Sequence, residues 1–276
     1  MKTLPSALGL EELRRQIAGL EGPRREAGTR AIGSGCDALD ELLPEKGFRP
    51  GTLTEWLSAG EGGGAGTLAL LAARQACRDG GALVVLDGRG DFCPPAAVRL
   101  GIESPRLVVI HPPSAADHHW AMNQALRSSA IAAVLAWPKA IDDRTFRRWQ
   151  LAAEEGGGFG LLVRPAAARA EPSWADVRLL VEPRGVEREE RGEARDPGGV
   201  SRTNSQFAIC NLQSSPLPAP LSSLPSSRRR LRITVLRCRG GTADRSLDVE
   251  LDDETYLVHP VARLAAPTAR RRLAGA

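Results

Sequence analysis

Short apolar runs alternate with helix-length segments through the middle of the chain. The apolar runs predict strands at residues 52–57, 82–87, 106–111, 132–137, 160–163 and 177–181. Three of the segments between them, at residues 67–78, 117–128 and 143–155, have the length and composition of helices. Strand followed by helix, repeated about every 25 residues, is typical of βαβ units. The strand runs are also apolar at nearly every position, as expected of strands covered on both faces. The pattern therefore predicts an α/β fold with a mostly parallel sheet flanked by helices.

Both ends of the chain differ from this core. Residues 6–21 predict an amphipathic N-terminal helix, whose apolar positions are Leu10, Leu13, Ile17 and Leu20. Residues 184–227 start with a mixed charge run and continue through Pro, Ser, Gly and Asn, which predicts a disordered linker. Residues 231–238 and 246–252 alternate on either side of a Gly-Gly turn and predict a C-terminal β-hairpin.

The pattern divides the chain into four parts. Residues 1–30 hold the N-terminal helix and a short linker, residues 31–183 the α/β core, residues 184–227 the disordered linker, and residues 228–276 the basic hairpin and its tail. An isolated hairpin is marginally stable in water, so we expect this one to dock on the core or on a partner.

Composition excludes several classes of protein. Of the 276 residues, 42% are hydrophobic and 25% are charged, which is typical of a globular protein. No apolar run reaches the roughly 18 residues of a membrane span, and the N-terminus lacks the apolar region of a secretory signal. The five cysteines are odd in number and widely spaced, which argues against a disulfide framework and a metal site. We therefore expect a cytoplasmic, metal-free protein that does not contact a membrane.

The net charge of +4 is unevenly distributed along the chain. From residue 228 onward there are eleven arginines against six acidic residues, so the remainder of the chain is close to neutral. Six of these arginines lie within twelve residues: Arg228, Arg229, Arg230, Arg232, Arg237 and Arg239. A basic ribbon of this kind can hold a nucleic-acid backbone, and a charged edge strand that resists aggregation has the same pattern. Both interpretations remain open from the sequence.

A glycine-rich segment is the strongest candidate for chemistry. In EWLSAGEGGGAGTL, at residues 55–68, a strand runs into glycines and then into an Ala/Leu helix. This is the setting of a phosphate-binding loop, in which backbone N–H groups and a helix N-terminus hold an anion. The candidate binding residues are Gly60, Gly62, Gly63, Gly64, Gly66 and Thr67. The alternative is a tight strand-to-helix turn with no ligand.

Residues 32–181 resemble the core of the RecA recombinase fold. The similarity lies in GSGCDALDELL at residues 33–43, PGTLTEW at residues 50–56, and LDGRGDFCP at residues 86–94. More closely, the chain resembles RecA-like proteins of the ImuA type through LVRP at residues 162–165 and EPSWADVRL at residues 171–179, a motif also similar to the SulA-like cores. The resemblance implies a RecA-like P-loop core.

The resemblance also implies lost catalysis. The family's phosphate-binding lysine falls on Gly66, its water-activating glutamate on Arg89, and its Walker B aspartate on Trp137. An ATPase needs a cation on the phosphates, a metal anchor and a group that orients water. The resemblance therefore predicts a pseudo-enzyme with a vestigial phosphate loop, no catalytic residue and no resident cofactor. Binding of ATP without hydrolysis is the alternative.

Three functions remain in view. Proteins of the ImuA type are encoded with error-prone translesion polymerases, so the first is a non-catalytic adaptor in DNA-damage tolerance, with a polymerase, replication factors and DNA as partners. The second is a SulA-like module that blocks a cell-division protein, and the third is a working ATPase or recombinase. The N-terminal helix either packs on its own core or, by analogy with RecA, reaches a partner. The oligomeric state is left open.

Overall fold

The computed structural model of the chain describes residues 30–60, 62–184 and 228–261. The predicted N-terminal helix, nearly all of the predicted linker and residues 262–276 lie outside these ranges. Within the described ranges, no helix is long and apolar enough to cross a membrane.

The described residues form nine strands. These are β1 (Leu53–Ser58), β2 (Ala82–Leu86), β3 (Leu107–Ile110), β4 (Ile131–Ala136), β5 (Phe159–Pro165), β6 (Val177–Arg184), β7 (Arg228–Cys238), β8 (Arg245–Asp252) and β9 (Val258–Pro260). They join in one sheet with the order β3-β2-β4-β5-β1-β6-β7-β8-β9. Neighbouring strands are parallel from β3 to β6, and β7, β8 and β9 continue the sheet antiparallel. The prediction of a mostly parallel sheet with a C-terminal hairpin is confirmed.

Helices cover both faces of the parallel strands. They are α1 (Asp37–Asp40), α2 (Ala65–Ala76), α3 (Pro94–Arg99), α4 (Ala115–Arg127) and α5 (Asp143–Gly156), with 3-10 helices at Ser104–Arg106 and Ala166–Ala170. Helix α2 packs on the face that contains Trp56, while α4 and α5 pack on the opposite face, around Leu53. The two-sided cover explains why the strand sequences are apolar at nearly every position.

Local signals set the helix ends. The side chain of Ser114 accepts the N–H of Asp117 at 3.1 Å, and that of Asp142 accepts the N–H of Thr145 at 2.9 Å, so α4 and α5 both begin at a capping residue. Helix α5 ends at Gly156, and its C-cap is Gly157, whose φ of 76° lies in the left-handed region that favours glycine.

Two differences from the sequence prediction concern short or glycine-containing segments. Helix α2 begins at Ala65, two residues before the predicted start, because the first turn includes a glycine that the pattern assigned to the loop. Strand β9 was not predicted, since three residues carry too little periodicity. The hairpin docks on the chain's own core, because β7 pairs with β6 from Val177 to Arg184.

A buried ion cluster lies beneath the end of β5. The carboxylate of Glu55, on the central strand β1, has no exposed surface, and neither has the side chain of Arg164. Arg164 Nη1 donates to Glu55 Oε1 at 2.8 Å, and Arg178 Nε lies 2.8 Å from Glu55 Oε2. Ser173 Oγ donates to the same Oε2 at 2.6 Å. One buried carboxylate therefore joins the three adjacent strands β5, β1 and β6.

The cluster continues into the segment that follows β5. Arg164 Nη2 also donates to the carboxylate of Glu171 at 2.5 Å. Arg178 donates to the carbonyls of Ala168, Arg169 and Glu171 at 2.6 to 3.1 Å, and so satisfies the end of the 3-10 helix Ala166–Ala170. Buried charges are tolerated only when they are paired and hydrogen-bonded, and here the two arginines meet two carboxylates.

A second ion pair ties the core's leading segment to the hairpin. Asp176, at the start of β6, accepts the guanidinium of Arg49, with Arg49 Nε at 3.2 Å. Arg239 Nη1 lies 3.7 Å from the same carboxylate, and the N–H of Arg239 donates to the Asp176 carbonyl at 2.8 Å. The motif at residues 171–179 is noted in the sequence through resemblance alone. In the structure it supplies three ion-pair partners, Glu171, Asp176 and Arg178.

Replacing Glu55 with Gln tests the cluster. We expect Glu55→Gln to lower the free energy of unfolding by about 3–5 kcal/mol, because two buried guanidinium groups lose the charge that compensates them. The matched variant Glu171→Gln changes a carboxylate that is 43% exposed, so its cost should be about 1 kcal/mol or less. Urea unfolding followed by circular dichroism measures both. Equal losses for the two variants would contradict the assignment of Glu55 as the central charge.

Candidate phosphate loop and arginine hairpin

The glycine-rich segment forms a turn between β1 and α2. Strand β1 ends at Ser58, and α2 begins at Ala65 with Gly64 as its N-cap, at a φ of 84°. No side chain caps the helix, so the first-turn N–H groups face the loop without a side-chain acceptor. The structure gathers the predicted binding residues in this turn and in the first turn of α2: Gly60, Gly62, Gly63, Gly64, Gly66 and Thr67.

The loop bonds to itself at its base. The carbonyl of Gly60 accepts the hydroxyl of Ser58 at 2.5 Å and the N–H of Gly63 at 3.2 Å. A Cβ on Gly63 would lie 2.7 Å from Ser58 Oγ, so the turn depends on glycine at this position. The N–H of Ala59 donates to the carbonyl of Val181 on β6 at 3.1 Å, which holds the loop against the neighbouring strand.

The hairpin packs directly on this loop. A Cβ on Gly64 would lie 2.7 Å from Leu231 Cδ1, and the left-handed backbone at Gly64 disfavours any other residue. The Leu231 side chain is 2% exposed, and it belongs to the same apolar cluster as Ala65 and Leu68 of α2. An apolar side chain from β7 therefore lies against the candidate phosphate loop.

An aromatic pair approaches the loop from β4. Trp137 follows the last residue of β4, at the position expected for the Walker B aspartate. Its Nε1 would be 3.9 Å from a Cβ on Gly66, the lysine position, and its ring centroid lies 6.0 Å from that of Phe92. Two of the three positions that the resemblance aligns with the ATPase groups are thus neighbours in space, because the Trp137 indole lies beside the point where a side chain on residue 66 would start.

The third altered position, Arg89, belongs to a loop organised by Asp87. The Asp87 carboxylate accepts the N–H groups of Arg89, Gly90, Asp91 and Phe92 at 2.8 to 3.2 Å. The guanidinium of Arg89 is exposed and lies 3.9 Å from the carboxylate of Asp91. The Asp87 carboxylate is 4% exposed and holds its own loop through these four hydrogen bonds.

The pKa of Asp87 reflects these contacts. Burial raises the pKa of the carboxyl, but the four backbone N–H groups outweigh it, so the pKa lies below its ordinary value. His111 lies beside the same group, with its Nδ1 3.0 Å from the Asp87 carbonyl and 3.7 Å from the carboxylate.

The predicted basic ribbon is a ladder of ion pairs in the structure. Arg228, Arg230 and Arg232 on β7 lie directly opposite Asp252, Glu250 and Asp248 on β8. Arg232 binds Asp248 through two hydrogen bonds of 2.7 and 2.8 Å, and Arg230 binds Glu250 at 2.7 Å. Cross-strand pairs of opposite charge stabilise an antiparallel sheet.

Three further hairpin arginines also have partners. Arg229 bonds to Asp253 at 2.7 Å, Arg237 donates to the carbonyl of Ser173 at 2.5 Å, and Arg239 lies beside Asp176. Residues 228–261 hold seven arginines against six acidic residues, so the described hairpin is nearly neutral. The other four arginines of the C-terminal part, at positions 263 and 270–272, lie outside the described residues.

Sequence reasoning missed the residues with the most demanding environment. Glu55, Arg164 and Arg178 sit inside strands and have no role in the predicted site. The available signal was a charged residue within an otherwise apolar strand run, which indicates a buried pair. Among the described residues, no group of three His, Cys, Asp or Glu side chains is placed to hold a metal ion.

Asp87→Asn tests the loop anchor and its pH dependence. Because the folded-state pKa is depressed, the carboxylate stabilises the fold above its unfolded pKa of about 3.9, and this contribution is lost as the pH falls through the folded-state pKa. We expect Asp87→Asn to cost about 2 kcal/mol at neutral pH, and much less once the pH falls below the folded-state pKa of Asp87. Urea unfolding across this pH range measures the difference. A cost that is constant with pH would contradict a charge-based anchor.

Comparisons with known proteins find similarity to ImuA and RecA sequences. No family model matches the chain. The protein ImuA of Caulobacter vibrioides, in strains NA1000 and CB 15, is 29% identical over 227 residues, which cover 78% of this chain and 83% of ImuA. RecA of Chlorobaculum parvum is 34% identical over 102 residues, or 37% of this chain and 29% of RecA.

A solved structure shares the architecture. The RadB recombinase crystal structure superposes with a TM-score of 0.55 at 15% identity, over 84% of this chain and 100% of the RadB chain. At this identity the likeness concerns the fold alone. Together, the matched sequences and the shared fold support the resemblance of the chain to RecA-fold proteins of the ImuA type.

Proposed function

We propose that the chain is a non-catalytic RecA-like adaptor in translesion DNA synthesis. Its likeness to ImuA supports an association with DNA damage and translesion synthesis. In this role it binds an error-prone polymerase and replication factors in the cytoplasm and brings them to damaged DNA. The N-terminal residues Leu10, Leu13, Ile17 and Leu20 are the proposed docking face for a protein partner.

The packing of the candidate phosphate loop carries this proposal. Leu231 lies against Gly64, and the Trp137 indole lies beside Gly66. A triphosphate site of the P-loop type uses open backbone N–H groups together with a lysine and Mg²⁺, which neutralise the phosphate charge. Here the side chains that lie against the loop are a leucine and a tryptophan, and neither carries a charge. The loop therefore suits a structural turn that buries apolar side chains better than a binding site for a triphosphate.

The residues at positions 66 and 137 fit together in space. A lysine at position 66 extends over several methylene groups and ends in a charge, and the indole of Trp137 stands beside its first carbon. An aspartate in place of Trp137 would remove the ring that contacts Phe92. The apolar arrangement thus involves α2, the end of β4 and the loop that contains Phe92. Changing only one of these residues to the one an ATPase has would not rebuild a site for ions.

Restoring the lysine tests this proposal. We expect Gly66→Lys to give no ATP turnover, because Arg89 and Trp137 still occupy the positions of the water-activating and metal-anchoring groups. The matched control is Gly60→Lys, which adds the same charge to the same loop at a position with open space. A coupled assay for phosphate release measures both variants with Mg²⁺. Turnover in Gly66→Lys alone would show that the catalytic register is intact and that the chain is a dormant ATPase.

The adaptor role itself is tested in cells. We expect deletion of the gene to abolish damage-induced mutagenesis, and the Thr67→Ala protein to restore it as well as the wild type does. Thr67 falls at the position whose hydroxyl binds Mg²⁺ in P-loop ATPases, so a working ATPase would lose function in this variant. Mutation frequency after ultraviolet irradiation and cell length are scored together. A change in cell length without a change in mutation frequency would favour a SulA-like division inhibitor.

A further inference from the structure

A pocket of about 410 Å³ opens at the end of α2 that is remote from the phosphate loop. It lies between the last turn of α2 and the segment that leads into β3. Its walls include Arg74, Gln75, Arg78, Gly101, Glu103 and Arg106. Since α2 is twelve residues long, the pocket is about 18 Å from the loop where α2 begins.

Three guanidinium groups and one carboxylate line this pocket. Arg106 pairs with Glu103, with Arg106 Nε 3.1 Å from Glu103 Oε2. Within the described residues, Arg74 and Arg78 make no ion pair with a carboxylate. Arg74 Nη1 donates to the carbonyl of Leu100 at 3.0 Å, and Arg78 Nη1 donates to Gln75 Oε1 at 3.0 Å. Most of the N–H donors on these two arginines therefore remain for a ligand.

The position of Arg74 is set by packing. Arg74 is half-buried, and a Cβ on Gly101 would lie 3.2 Å from Arg74 Cδ, so glycine leaves room for the side chain. Burial and then the neighbouring charge of Arg78 lower the pKa of Arg74 from its ordinary value. Two like charges are thus held together without a counter-charge, which an arriving anion would supply.

A structural role accounts for part of this arrangement. Arginines in the last turn of a helix interact favourably with its C-terminal carbonyls, and Arg106 donates to the carbonyl of Cys77 at 3.3 Å. That role needs one donor from each side chain and no concavity. It does not explain why three guanidinium groups converge on one pocket while the hairpin arginines Arg230 and Arg232 each have a carboxylate opposite.

We propose that Arg74, Arg78 and Arg106 form a pocket that binds the phosphate groups of a nucleic-acid backbone. Guanidinium groups match phosphate oxygens in planar, two-bond geometry, and an excess of two positive charges in a concave site suits a phosphodiester backbone. A free nucleotide or pyrophosphate presents the same chemistry. The inference goes beyond the adaptor role and does not depend on it, since it concerns a ligand and not the polymerase partner.

The experiment measures DNA binding by the full chain and by four variants. The probe is a fluorescein-labelled thymidine oligonucleotide of about 20 nucleotides, longer than one typical binding site. Fluorescence anisotropy is recorded at several salt concentrations. Arg78→Ala and Arg106→Ala each remove one pocket charge, Arg148→Ala removes an exposed arginine on α5, and Glu103→Gln releases Arg106 from its partner.

Both pocket arginine variants should bind the oligonucleotide about fivefold more weakly at 0.1 M salt, with a salt slope lower by about 0.7 for each lost phosphate contact. Glu103→Gln should bind more tightly, an increase that a purely structural role of Arg106 would not produce. Arg148→Ala should match the wild type. Unchanged affinity in Arg78→Ala and Arg106→Ala, with both proteins folded, would overturn the proposal.

Competition assigns the source of the phosphate. Pyrophosphate and ADP are titrated into the complex of wild-type protein and oligonucleotide. If only unlabelled oligonucleotide displaces the probe, the pocket binds the DNA backbone, as proposed. Displacement by micromolar ADP, lost in Arg78→Ala, would keep the phosphate pocket but overturn the nucleic-acid assignment. Displacement only by a poly-glutamate peptide would overturn the phosphate assignment as well.

Discussion

The carboxylate of Glu55 is the point on which the architecture depends. It lies on the central strand of the sheet, without exposed surface, and joins Arg164 on β5 to Arg178 on β6. Arg178 in turn satisfies the carbonyls of the 3-10 helix between those strands. Because β1 leads directly into the glycine-rich loop, this cluster also fixes where the loop leaves the sheet. A buried ion pair adds little net stability, but a shift of register among these strands would separate its charges and leave them buried without a partner.

The C-terminal hairpin extends the sheet beyond β6. Strand β7 adds to the free edge of β6, and the same pairing brings Leu231 against Gly64 of the loop. The pairing of β7 with β6 therefore both extends the sheet and places an apolar side chain against the loop. In a protein that turned over ATP, an apolar contact at this place would compete with a charged ligand, whereas in an adaptor it adds burial to an otherwise exposed turn. The aromatic approach of Trp137 to Gly66 has the same consequence on the other side of the loop.

The sequence predicted the strands well because each is buried on both faces, so hydrophobicity alone locates it. It placed the loop between β1 and α2 for a similar reason, since glycines between a strand and an Ala/Leu helix leave few alternatives. It could not predict the partners of Glu55, which come from residues more than one hundred positions away. Nor could it predict the hairpin ladder: the arginines are visible in the sequence, but only the register of Arg230 and Arg232 against β8 shows that carboxylates neutralise them.

That register changes how the positive charge of the chain should be interpreted. Counting arginines ranks the hairpin first, yet six of its seven described arginines have a carboxylate or carbonyl partner, which an incoming phosphate would have to replace. The desolvation and pairing already achieved count against such an exchange. Arg74 and Arg78 attract less notice in the sequence because they are few, but they lack a counter-charge among the described residues and share a concave surface. The affinity of a protein surface for an anion follows from uncompensated charge and shape, and by that criterion the end of α2 is a better candidate than the hairpin.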